Sequence, residues 1–119
     1  MARFDPGAFL PLTPAMFQVL VALADGEKHG YAILKEVARR SDGKVRLRAG
    51  TLYAVLKRFV DDGLIEESAE RPDPALDDER RRYYRLTERG RSVAVAEAER
   101  LAQTLDQARA KLSLRPRRA

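Results

Sequence analysis

Thr51-Leu52-Tyr53-Ala54-Val55-Leu56-Lys57-Arg58-Phe59-Val60-Asp61-Asp62-Gly63 places its apolar residues at Leu52, Val55, Leu56, Phe59 and Val60. That is the i, i+3, i+4, i+7, i+8 spacing of a helix buried along one side. Asp62-Gly63 ends it, because glycine accepts the left-handed conformation in which helices commonly terminate. Thr51, Tyr53, Ala54, Lys57 and Arg58 are left on the other side. The helix therefore rests on a core and offers a polar, basic surface to solvent.

Working back from this helix, residues 30–40 predict a second one. Its core face is Ile33, Leu34, Val37 and Ala38, while Tyr31, Lys35 and Arg39 point elsewhere. Ser41-Asp42-Gly43 stops it, with glycine in the left-handed region. Further back, Thr13-Pro14 is a helix start, a hydroxyl cap followed by proline where a missing N–H is harmless. Met16, Phe17, Val19, Leu20 and Leu23 follow, ending near Asp25-Gly26, in a helix apolar almost all round and so heavily buried. Residues 1–12, with Pro6, Gly7 and Pro11, read as an irregular arm.

Working forward, residues 64–68 and 82–86 alternate as short strands, the second with Tyr84 and Leu86 on one side and Tyr83 and Arg85 on the other. The acidic stretch between them, with Pro72 and Pro74, predicts an exposed hairpin loop. Thr87 caps a long final helix reaching about Leu112. Its Ala94, Ala98, Leu101, Leu105, Ala108 and Leu112 are spaced 4, 3, 4, 3, 4, a heptad seam suited to a partner helix. Alanine-rich and shorter than three heptads, the seam is unlike one that holds a dimer unaided.

Three helices, a hairpin and a long helix make a mainly α chain with a small β-hairpin. This is the winged helix-turn-helix order, in which the third helix fits the major groove of DNA. It divides into a winged domain with its arm (1–87), a C-terminal dimerisation helix (88–113) and a basic tail (114–119). Charge follows the same plan. Lysine and arginine total 23 against 18 aspartate and glutamate, a net +5. Nine of the acidic residues lie between Asp61 and Glu79, where Arg71 is the only cation. Lys44, Arg46 and Arg48 lead into the third helix, Lys57 and Arg58 stand on its open side, and Arg80, Arg81 and Arg82 lie at the wing. Such clusters attract a polyanion by counterion release when the fold gathers them on one face; otherwise they are solvated surface.

Other classes find little support. No apolar run approaches the roughly 20 residues of a membrane span, and no export signal is visible. Absence of cysteine removes disulfide and thiolate chemistry and fits a cytoplasmic protein. His29, the only histidine, cannot form a metal site alone and is expected to cap or pack the turn before the second helix. Asp61 and Asp62 are adjacent and point apart, and Gly50-Thr51 lacks the lysine and flanking glycines of a phosphate loop. An enzyme, a metal and a cofactor are not expected.

Four pieces in order then resemble the PadR family of transcriptional regulators. They are His29-Gly30-Tyr31-Ala32-Ile33; Gly50-Thr51-Leu52-Tyr53 with Leu56-Lys57-Arg58; Asp62-Gly63-Leu64-Ile65; and Tyr83-Tyr84-Arg85-Leu86-Thr87-Glu88-Arg89-Gly90. The resemblance spans roughly residues 13–95 and is closest to the smaller members with one C-terminal helix. It implies a bacterial repressor acting as a homodimer on an inverted-repeat operator in double-stranded DNA, with the C-terminal helix supplying much of the interface. By similarity Tyr31, Lys35, Thr51, Tyr53, Lys57 and the wing arginines match the DNA-contacting surface. Arg48-Ala49 departs from the hydroxyl residue and proline common there, and the wing loop is acidic at 73–79.

Tyr53 has two roles open to it, a phosphate contact or packing against the second helix. Two other functions also compete with operator binding. One is a ligand sensor, whose small-molecule effector would sit among Phe4, Phe9, Phe17 and the alanines of the final helix. The other is a winged-helix adaptor that binds protein through its acidic loop.

Overall fold

The computed structural model describes residues 3–68, 71–72 and 80–112. Its helices are α1 (Pro14–Ala22), α2 (Gly30–Arg40), α3 (Ala49–Asp61) and α4 (Glu88–Leu112). Its strands are β1 (Lys28–His29), β2 (Ile65–Glu67), β3 (Arg71–Pro72), β4 (Arg80–Arg81) and β5 (Tyr83–Leu86). The predicted order of three helices, wing and long helix is present.

Local chemistry sets the boundaries. The Thr13 hydroxyl accepts from the Met16 N–H at 3.1 Å, with Pro14 opening α1. Both α2 and α3 end in paired reverse bonds. Gly43 N–H donates to Ala38 O and Asp42 N–H to Arg39 O, as Leu64 does to Phe59 O and Gly63 to Val60 O. In such endings one residue turns left-handed to satisfy the last carbonyls. After α3 it is Gly63, as expected, but after α2 Asp42 (φ +52°) shares that conformation with Gly43. Asp visits it because its short polar side chain can hydrogen-bond locally.

The core is formed by Val19, Leu20, Ala22 and Leu23 from α1, Ile33 and Val37 from α2, and Leu52, Leu56 and Phe59 from α3. Leu64, Ile65, Tyr84 and Val93 complete it. One expected core residue is displaced: Ala38 is exposed, and Glu36 is buried in its stead. Arg40 pairs with the Glu36 carboxylate at 3.1 Å, with Arg39 at 3.8 Å and Lys28 at 3.9 Å beside it. A buried carboxylate is tolerable only with such partners.

The wing is larger than a two-stranded hairpin. β5 is central in a three-stranded antiparallel sheet, pairing Ile65 with Leu86 on one side and Lys28 with Tyr84 on the other. β3 and β4 pair Arg71 with Arg81 and Pro72 with Arg80, extending the hairpin outward. The acidic stretch 73–79, the side chains of Arg80 and Arg81, and the basic tail 114–119 lie outside the described residues.

The arm is more ordered than its composition suggested. Asp5 caps a 3₁₀ turn, Pro6–Phe9, by accepting from the Gly7 N–H at 3.0 Å. Phe4 and Phe9 lie 5.6 Å apart, and the Arg89 guanidinium of α4 covers Phe4 at 5.0 Å. Farther on, the Leu12 N–H donates to Glu97 Oε2 at 2.6 Å, and Arg100 pairs with the other oxygen of that carboxylate. Glu97 is 1% exposed. With Gly90 and Val93 it forms the face by which α4 grips its own chain.

The Arg100 guanidinium and then the Leu12 N–H hold the Glu97 carboxyl below its ordinary value of 4.5, against the opposing effect of burial. An unfolded chain then binds that proton more readily than the folded one. The stability contributed is complete above the ordinary value and lost as pH falls through the lowered one. Acid melts of the chain and of Glu97→Gln should therefore diverge most at neutral pH and converge as pH falls through the lowered value. Parallel curves across that range would remove Glu97 as the group responsible.

Candidate nucleic-acid interface

Leu52, Leu56 and Phe59 bury α3 against the core, so the helix must turn its opposite side outward. Thr51, Tyr53, Ala54, Lys57 and Arg58 are all exposed, as the sequence requires. Arg48 occupies the cap position of α3 and is exposed, and it makes no side-chain cap bond. The first amides of α3 are thus left without a capping side chain, with the positive end of the helix dipole among them.

Of the two roles open to Tyr53, packing against the second helix is present, and the side chain keeps an exposed part. It is half exposed, yet its ring lies over the start of α2. A Cβ built on Gly30 would come within 2.8 Å of the Tyr53 hydroxyl and 3.1 Å of its Cζ. Glycine at position 30 therefore leaves room for the ring there. On the same side, Tyr31 is half exposed and Lys35 carries its ammonium 5.5 Å from the Tyr31 ring. His29 caps α2, its Nδ1 accepting from Ala32 N–H at 3.1 Å, and packs edge-on against Tyr83 at 5.4 Å. Among the described residues no group of three or more His, Cys, Asp or Glu could hold a metal.

Between α3 and the wing runs a groove of about 360 Å³, walled by Tyr53, Lys57, Val60 and Asp61 on one side and Glu67, Arg82 and Tyr84 on the other. Burial, and then the nearby Glu67 carboxylate, push the Tyr84 phenol up, so it stays neutral in the groove lining. The cations around the groove have carboxylate partners. Lys57 pairs with Asp61 at 3.1 Å and Arg58 with Asp62 at 3.8 Å, each one turn on. Arg82 pairs with Glu67 at 3.0 Å, and Arg85 donates twice to Glu66, at 2.7 and 2.9 Å. Glu66 and Glu67 were not among the residues singled out from the sequence, and Asp61, Asp62 and Arg85 were not read there as ion-pair partners. The i, i+4 spacing on α3 was the available signal for two of them.

Of the seam residues of α4, Ala94 packs against the core beside Val93, and the leucines lie beyond the intramolecular face. Ala94 and Ala108 are half-buried and Ala98 is exposed, while Leu101, Leu105 and Leu112 are 42%, 45% and 66% exposed. No helix among the described residues is long and apolar enough to cross a membrane.

A family model described as Transcriptional regulator PadR-like matches residues 19–96. An uncharacterised protein of Lysinibacillus sphaericus is 31% identical over 74 residues, covering 62% of this chain and 65% of that protein, just under two thirds of its length. A PadR family transcription regulator from Clostridium difficile superposes with a TM-score of 0.69 at 23% identity, over 84% of this chain and 99% of that one. Bacillus subtilis PadR, solved in complex with operator DNA, gives a TM-score of 0.59 at 21% identity, over 68% of this chain and 45% of that one.

Proposed function

Since the chain belongs to the PadR-like family of transcriptional regulators, we propose that it is a sequence-specific repressor that binds operator DNA as a homodimer and is released by a small-molecule effector. Two α3 helices, one from each subunit, enter successive major grooves of an inverted repeat, with half-sites about 10 base pairs or a multiple apart. Thr51 and Tyr53 stand nearest the helix start, where base edges are read. Tyr31, Lys35, Arg48, Lys57 and Arg58 meet phosphate, and Arg80, Arg81 and Arg82 bring the wing to the adjoining minor groove. The α4 seam joins the subunits.

The observation that carries this reading is the shared exposure of Thr51, Tyr53, Lys57 and Arg58 along one side of α3, with the Arg82 wall of the wing beside it. The solved operator complex of a protein with the same fold supports it. The test is a gel shift against duplexes from around the coding locus, with random duplex as control and compounds screened for release. Retention of a discrete complex on one sequence, at salt that frees the random duplex, is the expected result. A protein that binds no duplex even at low salt would instead be an adaptor for another protein.

Lys57→Ala gives a sharper measure. Loss of one phosphate contact should weaken binding to every sequence alike and flatten the plot of log affinity against log salt by about 1 per subunit. An unchanged slope would take Lys57 off the phosphate.

A further inference from the structure

We infer that Asp61 and Glu67 act as built-in phosphate mimics: each occupies a groove cation that DNA would otherwise claim, suppressing attachment to non-operator sequence. The inference rests on the repressor reading and names residues that reading does not use.

Among the described residues, the α3 side and the wing pair Lys57, Arg58, Arg82 and Arg85 with Asp61, Asp62, Glu67 and Glu66. These eight charges cancel, although the whole chain carries +5. The cancellation is local and geometric. Lys57–Asp61 lies on one wall of the groove and Arg82–Glu67 on the other. Glu66 and Arg85 face each other directly across the β2–β5 ladder.

A basic residue in water keeps mobile counterions nearby, and DNA binding gains by releasing mobile ions condensed on the phosphates that such residues neutralise. Here the counter-charge is covalent. A phosphate reaching Lys57 or Arg82 must displace a carboxylate that then remains a few ångströms away and repels it. The exposed ion pairs themselves are weak, so they form no lock. What persists is the negative charge beside the phosphate track. Only a sequence that adds base contacts offsets it, so the arrangement lowers random binding more than operator binding. Asp62 and Glu66 act in the same sense at the edges of the groove.

The experiment measures affinity for operator and random duplexes across a salt series, using the full chain and Asp61→Asn, Glu67→Gln and the double variant. Glu99→Gln, exposed on α4 away from this surface, changes net charge equally and serves as control. Each groove substitution should steepen the salt slope by about 0.9 per subunit, worth about five-fold tighter random binding at 0.15 M salt. The double variant should bind random duplex about thirty-fold tighter per subunit engaged, with a reduced ratio of operator to random affinity. Unchanged slopes in a protein that does bind DNA would overturn the inference and leave the repressor reading intact. An equal gain in Glu99→Gln would overturn it too, since net charge would then suffice. If neither the parent chain nor the double variant holds any duplex at low salt, the repressor reading itself fails and this inference falls with it.

Discussion

Gly90→Ala should be the most destabilising single-methyl change in the chain, lowering stability by about 3 kcal/mol or more and the melting temperature by roughly 10 °C or more. Gly90 is the third residue of α4, and its N–H donates to the Thr87 hydroxyl at 3.1 Å. The same hydroxyl donates to Gly63 O at 2.7 Å, and Thr87 N–H donates to Leu64 O at 3.1 Å. The start of α4 is thus bonded directly onto the turn that ends α3. A Cβ at position 90 would fall 2.0 Å from Leu64 O, 2.9 Å from Leu64 C and 2.8 Å from Leu86 Cδ1. Two of those atoms are backbone, and the carbonyl is already committed to Thr87, so no side-chain rotation relieves the clash. Either the α3–β2 turn moves or α4 lifts away. Gly50→Ala is the matching control, since nothing lies within 4 Å of its added Cβ. There the ordinary helix preference for alanine should prevail, with a gain of up to about 1 kcal/mol. A thermal melt of Gly90→Ala that matches the parent would show that α4 does not sit on this turn as described.

The elements legible in the sequence are those whose signal is local. The α3 stripe, the Thr13-Pro14 start and the alternation of Tyr83 to Leu86 each depend on near neighbours, and each is found where expected. What was not legible depends on distant partners. β1 is two residues long and exists because β5 pairs with it, so no period within Lys28-His29 could announce it. Glu36 lies at a buried position that residue type argues against, and cations from β1 and α2 make it tolerable there. Glu97 has its amide partner 85 residues away in an arm read as irregular. The exposed residues of α3 were readable because burial of one side dictates the other. Their carboxylate partners read in the sequence as part of an acidic block between Asp61 and Glu79, whereas the fold sets Asp61, Asp62, Glu67 and Glu66 beside different cations.

Leu101→Lys combined with Leu105→Lys should separate the proposed dimer and sharply weaken operator binding while leaving the winged domain folded. Both leucines lie beyond Glu97, the last buried residue of α4, and both are substantially exposed in the single chain. Leucines four residues apart on one helix face make an apolar stripe that a partner helix can cover, and in a symmetric pair each substituted lysine would meet its like across the seam. Because neither leucine belongs to the core, the melt of the domain itself should shift little beyond the loss of stabilisation by association. DNA binding should respond far more. Once one half-site is held, the second α3 binds at an effective concentration set by the rigid pair. Severing the pair removes about 10²- to 10⁴-fold of operator affinity without altering a single protein–DNA contact. Random-duplex binding per subunit should change only modestly, and upward, from the added lysines. Sedimentation velocity and gel shift together read the outcome. A double variant that still sediments as a dimer would place the interface elsewhere. One that is monomeric yet holds the operator as tightly as before would mean that a single α3 carries the whole recognition, and the inverted-repeat reading would fail with it.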